Sequence, residues 1–153
     1  MNCSSLQPDS TSLTLSAARA VAMGGLAVTL LAVAGHRSLD LPLRFIPQTL
    51  LGFLGVALVL AVLLPQHRPW PRLGAANGVT LARGAVAALL MGLLGHAEPS
   101  LGWPAGLMAL GALILDGVDG HLARASGMVS RCGARFDMEV DALFVAVLAL
   151  LVW

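Results

Sequence analysis

Five apolar runs divide this sequence: Ala17–Gly35, Ile46–Leu64, Asn77 to about Gly95, Trp103–Leu115 and Phe136–Trp153. The first three come close to the roughly 20 residues that a helix needs to cross the hydrocarbon core of a bilayer. Lipid offers a backbone no hydrogen-bond partners, so such a run must satisfy its own N–H and C=O groups, as a helix does. Composition agrees. The chain has 153 residues, 58% hydrophobic and 11% charged, with a mean hydropathy of +0.85, where a soluble domain carries about a quarter charged residues. The expected fold is an all-α, polytopic membrane helix bundle of about five transmembrane helices in alternating directions. A net charge of +1 gives nucleic acid no electrostatic footprint.

Residues 1–16 are rich in Ser and Thr, contain Pro8 and lack a basic n-region. They read as a polar, loosely held tail and not as a signal peptide. Residues 17–76 then hold two transmembrane helices and a basic, proline-rich loop at Gln66–Arg72, in which Trp70 suits a membrane interface. Residues His36–Arg44 form the polar link between those helices. The two cysteines, Cys3 and Cys132, have no metal-ligand spacing and read as unpaired thiols. Cys132 falls in a basic loop and is expected to be reachable by thiol reagents from the cytoplasmic side. Loops 65–76 and 122–135 carry Arg68, Arg72, Arg124, Arg131 and Arg135, whereas the opposite loops carry only Arg37 and Arg44, partly offset by Asp40. The positive-inside rule therefore puts the first set of loops, and the N-terminus, in the cytoplasm.

Five of the eight acidic residues lie between Asp116 and Asp141. Asp116 and Asp119 are three apart, and Asp137 and Asp141 four apart, so each pair shares a helical face. Glu139 falls between the second pair and points elsewhere. The two helices are consecutive, which predicts antiparallel neighbours that bring both pairs to one membrane depth. Each charge costs about 2.5–3.5 kcal/mol at the centre of a membrane helix, and Arg124 is one positive charge against four. One or two divalent cations would balance them, and an all-oxygen ligand set favours Mg²⁺ or Mn²⁺. Gly120 leaves room for a ligand to approach the backbone, and Arg124 could clamp a phosphate. At the start of the third run, Asn77, Thr80 and Arg83 share one face. An N-cap role for Asn77 and snorkelling for Arg83 would each explain one residue; a substrate role would explain the shared face.

The pattern Asp116-x-x-Asp119-Gly120-x-x-Ala123-Arg124, eight residues, then Gly133-x-x-x-Asp137-x-x-x-Asp141 resembles the signature of the CDP-alcohol phosphatidyltransferases at all eight fixed positions and every spacing. Asn77-Gly-Val-Thr80-Leu-Ala-Arg83 resembles the opening of that family's first core helix. The resemblance covers residues 77–153 and implies the first three helices of a six-helix core, at about 77–95, 101–122 and 134–153. Core helices four to six would follow Trp153, so the chain is expected to be partial and to show little transferase activity alone.

The resemblance implies transfer of a phosphatidyl group from a CDP-alcohol, CDP-diacylglycerol above all, to a hydroxyl acceptor with release of CMP. Asp116, Asp119 and Asp137 would hold a pair of Mg²⁺ or Mn²⁺ ions with Asp141 beside them. Asp141 would be the general base. Gly120, Ala123, Arg124 and Gly133 would line the CDP-alcohol site, joined by Asn77, Thr80 and Arg83. The expected partners are the lipid donor, the acceptor and membrane lipids, with a homodimer allowed and nucleic acid excluded. Two other readings stay open: an inactive fragment or regulatory partner of such an enzyme, and a cation transporter.

Overall fold

The computed structural model describes residues 10–67, 70, 72–96, 101–126 and 130–153, with side chains from 11 to 118 within those ranges and from 130 onward. Five long α-helices account for nearly all of them: α1 (Ser10–Ser38), α2 (Phe45–Leu63), α3 (Ala75–Gly92), α4 (Gly102–Ser126) and α5 (Arg131–Val152). A 3-10 turn, Leu64–His67, ends α2. The described residues contain no strand. Three helices, α1, α2 and α3, are long and apolar enough to cross a membrane, and α4 adds a shorter apolar stretch, Gly102–Val118. Leu30, Leu51, Leu54, Leu58, Leu110 and Leu113 are exposed on the outside of the bundle. An aqueous surface does not tolerate so continuous an apolar exterior; a bilayer does. The chain is a helical membrane bundle.

Helices α1 and α5 differ in their bounds from the sequence expectation. The first helix starts at Ser10, not Ala17, so residues 10–16 are helix and not loose tail. Tertiary contacts explain it: Leu13 and Ala17 are buried, and Ser16 Oγ accepts the Leu73 backbone N–H at 3.3 Å. At 29 residues, α1 extends about 43 Å, longer than the roughly 30 Å of bilayer hydrocarbon. It also runs through His36 and Arg37 to Ser38, where these basic side chains complement the negative end of its dipole. The second difference is at α5, which begins at Arg131. Ser130 is its N-cap, accepting the Gly133 N–H at 3.0 Å, as a serine does before a helix.

Helix α3 is the centre of the bundle, and α1, α2, α4 and α5 all pack on it. Small residues allow the close approach. A β-carbon on Gly84 of α3 would lie 2.6 Å from Val56 of α2, and one on Gly24 of α1 would lie 2.9 Å from Phe53 of α2. Such small-residue contacts drive helix association in lipid, where burial of apolar surface gains little. One core cluster joins Phe53, Val56, Leu60, Leu81, Phe136 and Val140, the last two interleaved with Asp137 and Asp141 along α5; a second joins Ala32, Phe45, Leu90, Leu93 and Val147. Gly74 caps α3 at its start with φ 81°, a left-handed conformation that glycine adopts at little cost.

The predicted pairing of α4 with α5 needs correction. Among the described residues both helices pack on α3, and neither has the other as its main neighbour. Asp116 of α4 and Asp137 and Asp141 of α5 converge on Arg83 of α3.

Candidate metal and phosphate site

What α3 places between the two acidic helices is Arg83. Its side chain is only 6% exposed, while those of Asp116, Asp137 and Asp141 are 45%, 38% and 46% exposed. Arg83 Nη1 lies 2.9 Å from Asp116 Oδ1 and 2.7 Å from Asp137 Oδ1, and Nη2 donates to Asp141 Oδ1. One guanidinium therefore ties together carboxylates from α4 and α5. Its planar fork of donors suits this role in a way a lysine ammonium would not. Of the readings offered for Arg83 from sequence, snorkelling does not describe this position: the side chain is buried and its donors face carboxylates.

Helical geometry fixes the register of α3 against α5. Asn77 and Arg83 are six residues apart on α3; on α5, Asp137 and Asp141 lie four and eight residues beyond Gly133 and so bracket that separation. A β-carbon on Gly133 would come 2.7 Å from Asn77 Oδ1, so the two helices touch there, and they run parallel from that contact to the Arg83 ion pairs. Asn77 is not the N-cap of α3. Its Nδ2 donates to the Leu73 carbonyl at 2.5 Å, one turn back, and the residue is buried. Thr80 is buried beside it, its hydroxyl donating to the Ala76 carbonyl at 3.2 Å. The shared face of Asn77, Thr80 and Arg83 is the buried face of α3.

One oxygen from each of Asp116, Asp137 and Asp141 lies within 4.8 Å of the others. Glu139 is exposed on the opposite side of α5, in an apolar groove of about 490 Å³ lined by Leu51, Val59, Met91 and Leu143. The surroundings of Asp119, Gly120, Ala123 and Arg124 lie outside what is described, although α4 continues through these positions.

The three carboxylates and Arg83 together carry a charge of −2 when ionised. That excess sits within a membrane bundle, where unbalanced charge is expensive. The donor set is all oxygen, partly exposed and gathered within the reach of one ion, so it fits a hard divalent cation such as Mg²⁺ or Mn²⁺.

Sequence reasoning missed two residues next to this site. His67, from the basic loop, is fully buried and hydrogen-bonded to Ser130. A Ser shortly before a helix is a readable N-cap signal; nothing in the sequence marks His67. Cys132, expected in an accessible loop, lies in the first turn of α5 and is fully buried.

No curated protein and no solved structure matches the chain. The family model described as CDP-alcohol phosphatidyltransferase matches residues 73–153. That span holds α3, α4 and α5, and with them Arg83 and every carboxylate it gathers, so the chain belongs to the CDP-alcohol phosphatidyltransferase family.

Proposed function

We propose that the protein transfers a phosphatidyl group from CDP-diacylglycerol to a hydroxyl acceptor, releasing CMP, as a step of phospholipid synthesis at the cytoplasmic face of a membrane. The observation that carries the reading is the gathering of Asp116, Asp137 and Asp141 around buried Arg83. Carboxylates strung along a path would suit a cation transporter better than one compact cluster on a shared guanidinium does.

In this reading Asp116, Asp119, Asp137 and Asp141 would hold two Mg²⁺ or Mn²⁺ ions. When bound, such ions neutralise charge that builds on a pyrophosphate as it is displaced. The chain's own residues do the rest. Asp141 takes the proton from the acceptor hydroxyl, which it must approach to about 2.6–3.2 Å. The acceptor oxygen forms its bond to the phosphorus nearer the lipid, the bond from that phosphorus to the bridging oxygen breaks, and CMP leaves with the electron pair. Arg83 orients Asp137 and Asp141 from the buried side. Arg124 pairs with a phosphate of the donor, and Gly120, Ala123 and Gly133 leave room for the cytidine diphosphate. Asn77 and Thr80 support this site through the buried face of α3. Residues 17–76 form an added two-helix part, and 77–153 the transferase part.

The test is CMP release from labelled CDP-diacylglycerol by the purified chain in lipid with Mn²⁺, across a panel of hydroxyl acceptors. The expected result is Mn²⁺-dependent binding of CDP-diacylglycerol and, as little activity is expected of residues 1–153 alone, low acceptor-dependent release that Asp141→Asn abolishes. Absence of both release and Mn²⁺-dependent binding of CDP-diacylglycerol would overturn the proposal; binding without release in every acceptor would favour a regulatory partner.

A further inference from the structure

His67 belongs to the short turn that follows α2, outside the residues that match the family. It is nevertheless 0% exposed, and both ring nitrogens are engaged. Nε2 lies 2.8 Å from the Arg72 carbonyl oxygen. A carbonyl only accepts, so Nε2 carries a proton. Nδ1 lies 2.9 Å from Ser130 Oγ, and in the neutral ring it accepts the serine O–H. Ser130 Oγ in turn accepts the Gly133 N–H at 3.0 Å. The result is a continuous chain of hydrogen bonds from the Gly133 amide through Ser130 to the imidazole and on to the Arg72 carbonyl.

The far end of that chain matters because Gly133 is the point where α5 touches Asn77 of α3. Asp137 is one helical turn beyond Gly133, and Asp141 one turn beyond that, on the same face. Any rotation or slip of the first turn of α5 moves both carboxylates relative to Arg83. Asn77 holds that turn from one side. The Ser130 cap, whose hydroxyl is oriented by His67, holds it from another.

We propose that His67 is a positioning residue: by fixing the Ser130 hydroxyl it sets the start of α5, and thereby the placement of Asp137 and Asp141. The helices before residue 73 are then part of the site's scaffold and not a passive addition. The inference rests on the reading of Asp137 and Asp141 as cation-holding carboxylates. Groups that orient the ligands of a metal typically change its affinity by about 10–100-fold when lost.

Two substitutions separate the arms of the imidazole. His67→Asn keeps a polar atom near the Nδ1 position, facing Ser130, and loses the Arg72 contact. His67→Gln keeps one near the Nε2 position, facing Arg72, and loses the Ser130 contact. Two readouts on the full chain in detergent are needed: Mn²⁺ affinity by electron paramagnetic resonance, and backbone hydrogen exchange across residues 131–137. We expect His67→Gln to weaken Mn²⁺ binding by about tenfold and to speed exchange in that turn, with exchange in α2 unchanged, and His67→Asn to restore most of both. Ser130→Ala should reproduce the His67→Gln effects, and the double variant should add little to them. Equal behaviour of Asn and Gln, or full additivity with Ser130→Ala, would overturn the proposal. If the unsubstituted chain binds no Mn²⁺, the cation reading fails, and the exchange data still decide whether His67 anchors α5.

Discussion

Gly133 on α5 faces Asn77 on α3 so closely that a β-carbon on the glycine would lie 2.7 Å from the asparagine amide oxygen and 3.3 Å from Ser130 Oγ. A larger residue at position 133 would force this contact to shift. Asn77 has little freedom to yield, because its amide nitrogen is held by the Leu73 carbonyl. This contact is the reference point from which Asp137 and Asp141 reach Arg83.

Gly133→Ala should therefore destabilise the bundle by about 1–3 kcal/mol, the usual cost of overpacking. Gly78→Ala is the control. It is also in helix, with open space around an added β-carbon, and should be neutral or stabilising by up to about 1 kcal/mol, since alanine favours helix. Thermal unfolding in a mild detergent measures both. Equal shifts would show that the α3–α5 contact is not tight.

Arg83→Gln removes the counter-charge shared by three carboxylates. Removing one partner of a fully buried ion pair costs about 3–5 kcal/mol. Because these carboxylates are 38–46% exposed, solvent screening lowers that to about 1–3 kcal/mol. A divalent cation replaces part of the lost charge, so the drop in melting temperature should be larger in chelator than in saturating Mn²⁺. Melting curves under the two conditions check this, and identical drops would mean that Arg83 and the cation do not share the same carboxylates.

Asp137→Asn should weaken Mn²⁺ binding by more than about a hundredfold, beyond the usual loss for groups that merely orient ligands. Glu139→Gln, on the opposite side of α5, should change it by less than about threefold, since no ligand atom is touched. Calorimetric titration with Mn²⁺ on the two variants decides the matter. A comparable loss in both would contradict the face assignment.

Cys132 is 0% exposed. In a Cys3→Ser background its reaction with a thiol reagent should be slow in the folded chain and complete after denaturation. Because labelling waits on local opening, Gly133→Ala should speed it, as exchange from opened states tracks local stability. Rapid labelling of the unsubstituted chain would place the start of α5 in solvent.

Much of this architecture is legible in the amino-acid sequence. Apolar runs dictate a helical membrane bundle, because a backbone in lipid must bond to itself. The spacing of Asp116, Asp137 and Asp141 gives their helical faces, and places Glu139 on the other side. The sequence also singles out Asn77, Thr80 and Arg83 as one face. These are local properties: they depend on helical periodicity and need no knowledge of neighbours.

What the sequence leaves open is which neighbour each face meets. Adjacent position in the chain suggested that α4 and α5 pair directly, whereas among the described residues both pack on α3, which supplies the shared guanidinium. Residues 10–16 look like tail until Leu13 and Ser16 are seen against the rest of the bundle. His67 sits in a polar, proline-rich loop, and nothing in its surroundings there predicts complete burial against Ser130, 63 residues away. Local pattern determines which residues can share a surface; only packing decides what that surface is pressed against, because helix contacts in lipid are selected by shape and hydrogen bonding between elements distant in the chain.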